Sequence, residues 1–333
     1  MFDPLLEQFV QVEPLSVISF AGAVQAARPG DHVLDIGSNM GFYTTLAATL
    51  SPPSVGVLAV EMQPRCVDIT HCHLWLNSVP YHPRVQILNR YVAASSADSA
   101  QAPLPAVRVP RRTCDTMASP SATGGRTPAG TEKGTQKHMN QTETQPVHAV
   151  EIGLHLQSRL SETARIAATK IDTEGFEPRV LAALRPVWDR MGDVVLELQP
   201  HAWQLHGIPH DEAFATLRAF GMSGANGYVV VTLPHAQQFE SSTLSNPALY
   251  SMVDACRLQP VVSGVDRGIS AATRPPSMRK AFARPLKTSM GMKAARVMSV
   301  DQLIEGLRGI LDSKHKHFHE VLLTRRRGCE RTG

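Results

Sequence analysis

Two groups of residues in this chain have the types and spacing that chemistry needs. In HVLDIGSNMGFYTTLAATL, residues 32–50, an apolar run ends near Asp35, and Gly37, Ser38, Asn39 and Gly41 follow before a helical stretch begins. Glycine lets the backbone turn sharply and lets a ligand approach with no β-carbon in the way. The next apolar run, VGVLAVE, ends in Glu61, twenty-six residues after Asp35. A carboxylate there has acceptor oxygens for both hydroxyls of a ribose. The second group is Asp172, Glu174 and Glu177 in KIDTEGFE, with His201 in ELQPH. A carboxylate or imidazole in hydrogen-bond reach of a hydroxyl can take its proton as the oxygen reacts.

The loop at 35–41 also says what it does not hold. A dinucleotide pattern G-x-G-x-x-G starting at Gly37 needs glycine at 39 and 42, where this chain has Asn39 and Phe42. Pyrophosphate contact depends on those glycines, so a nicotinamide or flavin cofactor is disfavoured. Loop and acidic strand tip together read as a site for a nucleoside without phosphates, and S-adenosylmethionine fits that description. Structural roles compete for the other residues. Glu177 opens a helix containing Pro178, where an acid meets the helix dipole. His201 is as readily a surface histidine in a turn as a base, in a chain with fourteen histidines. Glu197 sits inside the apolar run VVLEL and needs a buried partner, for which Lys170 is the candidate.

These residues must be positioned by alternating elements. The predicted strands are His32–Ile36, Val55–Glu61, Val85–Leu88, Ile166–Asp172, Val194–Leu198 and Tyr228–Leu233, and the predicted helices are 41–50, 64–77, 176–190 and 210–220. Such alternation argues for βαβ units and a mostly parallel sheet, whose strand ends open on one edge. Residues 14–28 have helical spacing and lead into the turn signal Pro29-Gly30, which makes 1–29 a helical lead-in to a domain spanning 30–333. Residues 118–148 are rich in Ser, Thr, Gly, Pro and Gln, so a disordered insertion is expected there. An irregular basic insertion occupies 235–295. Ser299 to Gln302 has the form of a capping box before a helix at Leu303–Leu311, and Val321–Thr324 offers a last short strand.

Five stretches in this order resemble the FkbM-type methyltransferases, a branch of the class I S-adenosylmethionine-dependent enzymes. They are VLDIGSNMGFYTTLA at 33–47, VGVLAVEMQP at 55–64, RTCDTM at 112–117, ATKIDTEGFEPRVLAAL at 168–184 and DVVLELQP at 193–200. KIDTEGFE resembles the family's Lys-Ile-Asp-x-Glu-Gly-x-Glu signature. The resemblance implies a Rossmann-like α/β fold, with helices on both faces of a mostly parallel seven-stranded sheet whose last strand is reversed. It carries over Asp35, Gly37, Ser38, Asn39, Gly41 and Glu61 as cofactor contacts, Ser38 standing for a common alanine. It places Asp172 and Glu174 near the transferred methyl. The base is then Asp172, Glu174 or His201. Cys114 stands where the family usually has leucine, and 235–295 matches nothing in the family. The implied activity is methyl transfer, directed at a hydroxyl of a small molecule, glycan or lipid-linked acceptor. The rivals are an NAD-dependent oxidoreductase and a methyltransferase fold that only binds partners.

Composition bounds the remainder. With 43% hydrophobic residues, 19% charged residues and a net charge of +4 over 333 residues, the chain suits a soluble globular enzyme and does not require a polyanionic partner. The five cysteines, at 66, 72, 114, 256 and 329, have no regular framework and read as free thiols in a reducing compartment. Cys66, His71, Cys72 and His73 lack the spacing of a zinc site, so no metal is expected. The basic stretch at 274–296 and the TRRRGCER tail read as solvated, so nucleic acid is not an expected partner. No signal peptide or membrane span is evident, which points to an intracellular, cytoplasmic protein. Oligomeric state leaves no mark in the sequence.

Overall fold

A computed structural model describes residues 14–77, 79, 84–93, 106–111, 114, 144–223, 227–233, 297–311 and 319–325. Helix α1 (Pro14–Gln25) leads into strand β1 (His32–Ile36), helix α2 (Phe42–Leu50), β2 (Gly56–Glu61), α3 (Pro64–Leu76) and β3 (Val85–Asn89). Short strands β4 (Tyr91–Val92), β5 (Val107–Pro110), β6 (Thr144–Val147) and β7 (Ala149–Val150) follow. Then come α4 (Ile152–Gln157), β8 (Ile166–Ile171), α5 (Glu177–Ala183), β9 (Met191–Leu198), α6 (Pro200–Trp203), α7 (His210–Gly221), β10 (Tyr228–Leu233), β11 (Val297–Met298), α8 (Val300–Leu311) and β12 (His319–Arg325).

The main sheet has the order β11-β10-β12-β9-β8-β1-β2-β3. Strands β3, β2, β1, β8 and β9 pair in parallel, and β12 runs antiparallel to both of its neighbours, β9 and β10. This is the expected Rossmann-like, class I methyltransferase arrangement with a reversed last strand. The two-residue β11 extends the expected seven strands to eight.

The strands are apolar on both faces because each face carries a core. Val33, Val57, Val195 and Leu322 join one core with Phe20 and Val24 of α1 and Phe42 and Leu46 of α2. Their neighbours Leu34, Leu58, Leu196 and Leu323 join the other, with Leu181 of α5, Phe214 and Leu217 of α7 and Leu303 and Leu307 of α8. Successive side chains point to opposite faces, so continuous apolar runs mark strands covered by helices on both sides. The lead-in helix α1 therefore packs directly on β8, β9 and β12.

Several boundaries depart from expectation. The helix expected over 176–190 ends at Ala183, and a 3₁₀ segment follows over Arg185–Arg190. Pro186 lies there, and its ring and missing N–H do not sustain an α-helical ladder. Residues 144–147 are not part of a disordered insertion: β6 pairs antiparallel with β5, and Val109 and Val147 are buried. The expected disorder over 118–143 and the basic insertion 235–295 lie outside the described residues. The capping box forms as read. Gln302 N donates to Ser299 Oγ at 3.2 Å, and Ser299 N donates to Gln302 Oε1 at 2.8 Å.

Candidate functional site at the carboxyl edge of the sheet

From β1 the sheet grows one way through β2 and β3 and the other way through β8 and β9. The gap between β1 and β8 is therefore the topological switch point, where ligands of such sheets bind. Asp35 and Glu61 stand at the carboxyl ends of adjacent parallel strands, and Asp172 immediately follows β8 on the other side of the switch.

The loop after β1 is shaped by its protein neighbours. Gly37 has φ of +79°, and a β-carbon there would lie 1.8 Å from the Asp172 carbonyl oxygen. Gly41 has φ of +78°, and its β-carbon would lie 2.2 Å from Thr70 Cγ2. Ligand approach is the role expected of these glycines, but the space beside them is taken by Asp172 after β8 and by Thr70 of α3. The N–H groups of the loop are engaged as well. Gly37 N and Ser38 N donate to Val60 O at 2.9 and 3.2 Å, Gly41 N donates to Ser38 O at 2.8 Å, and Asn39 N donates to Glu61 Oε2 at 2.8 Å. Ser38 Oγ is buried and has no hydrogen-bond partner among the described residues.

Both strand-tip acids are buried. Asp35 accepts a hydrogen bond from Thr44 Oγ1, and burial pushes its carboxyl up to about 7, against the pull of Thr44 and Lys170. Glu61 accepts from Asn39 N through Oε2 and from Gln63 N at 2.7 Å through Oε1. Burial also raises the Glu61 pKa, and hydrogen bonds from the backbone of Gln63, Asn39 and Met62 oppose that rise.

Helix α3 supports the loop with one stripe of side chains. Thr70 Oγ1 donates to Asn39 O at 3.2 Å, and His73 Nδ1 lies 2.8 Å from Met40 O. Cys66, on the same stripe, forms a disulfide with Cys114. That corrects the expectation of free thiols at these two positions; Cys72 is exposed and unpaired. The bridged sulfurs of Cys66 and Cys114 lie 3.6 and 3.2 Å from Asn39 Oδ1.

Across the switch, Lys170 is 1% exposed and faces three carboxylates. Its Nζ lies 3.5 Å from Asp172 Oδ2, 3.9 Å from Glu197 Oε2 and 3.4 Å from Glu320 Oε1. The pairing of Glu197 with Lys170 expected from VVLEL is therefore present, as one of three. Glu320 in turn accepts from Ser16 Oγ of α1 at 2.5 Å. Glu320 precedes the apolar run of β12 instead of interrupting it, so no signal like that of Glu197 in VVLEL marked it in the sequence.

Among the expected catalytic residues, Asp172 and Glu174 come together on the turn after β8. The Asp172 side chain is 28% exposed. Glu174 has φ of +54°, and its Oε2 accepts from Gln199 Nε2 at 2.7 Å. Glu177 does not join them at the surface. It is fully buried, accepting from Gly175 N at 2.6 Å and Trp203 Nε1 at 3.1 Å, with burial raising its pKa to about 7. His201 makes no hydrogen bond to Asp172 or Glu174, and its Nε2 is enclosed without a partner among the described residues. The histidine that reaches this turn is His206, whose Nε2 lies 3.0 Å from Glu174 O and whose ring meets Phe176 edge-on. Neither Gln199 nor His206 stood out in the sequence.

Known proteins resemble this chain only at low similarity. No family model matches the chain. Ribosomal protein L11 methyltransferase of Geobacillus kaustophilus (strain HTA426) is 32% identical over 79 residues, covering 24% of this chain and 25% of that protein. The chain thus matches about a quarter of the length of that relative. Among solved structures, a SAM-dependent methyltransferase from Geobacter sulfurreducens with bound S-adenosyl-L-homocysteine is 10% identical, covering 95% of this chain and 92% of the other, with a TM-score of 0.35. An O-methyltransferase from Streptomyces achromogenes, involved in tomaymycin synthesis and solved with SAM, is 12% identical, covering 65% and 70%, with a TM-score of 0.34. An O-methyltransferase from Bacillus cereus with SAH is 13% identical, covering 66% of each chain, with a TM-score of 0.30. The fold assignment rests on the strand order of the sheet. No helix among the described residues is long and apolar enough to cross a membrane.

Proposed function

We propose that this chain is an S-adenosylmethionine-dependent methyltransferase of the FkbM type, acting on a hydroxyl of a small-molecule, glycan or lipid-linked acceptor. The observation that carries this reading is the chemistry of the edge. Four N–H groups of the β1 loop already donate within the protein, which leaves them unable to cradle a pyrophosphate. Around that loop lie the carboxyls of Asp35, Glu61 and Asp172, with Lys170 beside Asp172. Such an edge favours a nucleoside that carries positive charge over one that carries phosphates. It disfavours the NAD-dependent alternative, as Asn39 and Phe42 already do.

In this reading Asp35, Gly37, Ser38, Asn39, Gly41 and Glu61 form the cofactor site. The Glu61 carboxylate is the acceptor for the ribose hydroxyls, and the unpartnered Ser38 Oγ suits a polar group of a ligand. Gly37 and Gly41 act by letting the loop close on β8 and α3. When bound, the cofactor supplies a methyl group activated by a sulfonium. Asp172 and Glu174 orient the acceptor hydroxyl opposite that sulfur, a positioning task that lowers the barrier by several kcal/mol. Asp172, the more exposed member of the Lys170 cluster, is the first choice to accept the proton, and Gln199 fixes the Glu174 carboxylate. His201 stands as the third candidate base.

Calorimetry tests the cofactor assignment. S-adenosylhomocysteine should bind and NADH should not, and NADH binding without S-adenosylhomocysteine binding overturns it. Incubating candidate extracts with methyl-labelled S-adenosylmethionine, followed by mass spectrometry, identifies the acceptor and the methylated atom.

A further inference from the structure

The Cys66–Cys114 bridge touches the one loop residue, Asn39, whose main chain also contacts Glu61. A disulfide sulfur carries no hydrogen, so in the bridged state Asn39 Oδ1 receives no bond from either sulfur and remains free to accept one from a ligand. Once reduced, either thiol at the same distance is a weak donor to that oxygen. Bridging also ties position 114, far along the chain, to the first turn of α3 beside the loop.

We propose that this disulfide is a redox-reversible latch on the cofactor site: bridged, it pre-orders the wall around Asn39; reduced, it releases Cys114, and cofactor affinity falls. The inference rests on the reading that the 35–41 loop holds the cofactor. The chemistry uses a dithiol reductant. Cys66 is fully buried and Cys114 half-buried, so a reductant thiolate attacks Cys114 Sγ. The S–S bond breaks and Cys66 leaves as a thiolate. It is the third residue of the thirteen-residue α3, whose N-terminal N–H groups stabilise negative charge. The second thiol of the reductant then attacks the mixed disulfide, expelling the Cys114 thiolate and becoming a disulfide itself. Two electrons pass to the protein, and both thiolates take up protons. In a reducing compartment such bonds are typically transient and redox-sensing.

The test splits the full-length protein into an air-oxidised portion and one treated with dithiothreitol. Peptide mapping after alkylation verifies the state of Cys66 and Cys114, with exposed Cys72 as a thiol reactive in both. S-adenosylhomocysteine is then titrated into each. Reduction should weaken binding roughly tenfold, since an unordered wall must be ordered on binding. Cys114→Ser should bind like the reduced protein and ignore dithiothreitol, and Cys72→Ser should keep the full response. Equal or tighter binding after reduction overturns the latch, as does failure of a 66–114 linked peptide to form on oxidation. Binding in neither state overturns the cofactor reading itself.

Discussion

Replacing Gly37 by alanine separates the two explanations for a glycine in this loop. If glycine is there to admit a ligand, Gly37→Ala should leave the unliganded protein nearly as stable as before. If it is there because β1 and β8 approach so closely, the substitution should destabilise the fold itself. The added β-carbon would sit 1.8 Å from the Asp172 carbonyl oxygen, so the loop and the strand end must part by roughly 1 Å or more. Parting them weakens two hydrogen bonds, Asp172 N to Ile36 O at 3.0 Å and Gly37 N to Val60 O at 2.9 Å. Each is worth about 1 kcal/mol. Overpacking adds about 1–3 kcal/mol, and a left-handed φ about 1–2 kcal/mol for a residue with a β-carbon. Allowing for overlap among these terms, the loss is on the order of 3–5 kcal/mol. Gly30 supplies the control: its φ is +86°, but nothing lies within 4 Å of its β-carbon position, so Gly30→Ala carries the backbone strain alone. Urea unfolding of both variants should show Gly37→Ala less stable than Gly30→Ala by about 2–4 kcal/mol. Equal losses would refute the close-approach explanation.

Three further outcomes follow from named contacts. Glu61→Ala should weaken S-adenosylhomocysteine binding by roughly 1.5–3 kcal/mol in calorimetry, through loss of charge-assisted bonds, and unchanged affinity would remove Glu61 from the site. Asp35, with its pKa raised by burial from 3.8 to about 7, binds a proton more tightly in the folded chain than in the unfolded one, so its contribution to stability declines as pH rises from about 4 through about 7. Asp35→Asn should flatten that decline, gaining a few kcal/mol on the wild type between pH 4 and pH 8 in denaturant melts; parallel pH profiles would contradict the burial of this acid. Ser299→Ala should cost about 1 kcal/mol of stability by removing the cap of α8, and no measurable change would mean the box contributes nothing.

The placement of Asp35 and Glu61 was legible because a βαβ crossover puts successive parallel strands side by side with their ends on one edge. The acids of KIDTEGFE were legible as a group for the same reason, but their division of labour was not. Whether Glu177 is a surface acid or a buried anchor depends on Trp203, which arrives from the short helix α6 after the next strand. The meaning of Gly37 was equally hidden, since the atom that forbids a β-carbon belongs to Asp172. Cysteine spacing does not determine connectivity, so the Cys66–Cys114 pair could be seen only once α3 and the segment at 114 were in place. Pro186, by contrast, was a readable signal that the helix over 176–190 would not run its full length.

Lys170 shows how the ends of the described fold converge on the site. A cation only 1% exposed is expensive to bury and is tolerated when its partners are close and themselves held. Here Asp172 comes from the turn after β8, Glu197 from β9 and Glu320 from β12, while Ser16 of α1 holds the other oxygen of Glu320. Helix α1 and strand β12, distant in sequence, therefore meet at the residue that touches Asp172. Three carboxylates around one ammonium leave the cluster negative, and Asp35 lies near enough to feel both Lys170 and Asp172. A second cation in the core would weaken this negative edge, whereas one surrounded cation orients Asp172 and still leaves negative potential at the switch point. That balance is what a positively charged nucleoside requires and what a pyrophosphate would meet as repulsion.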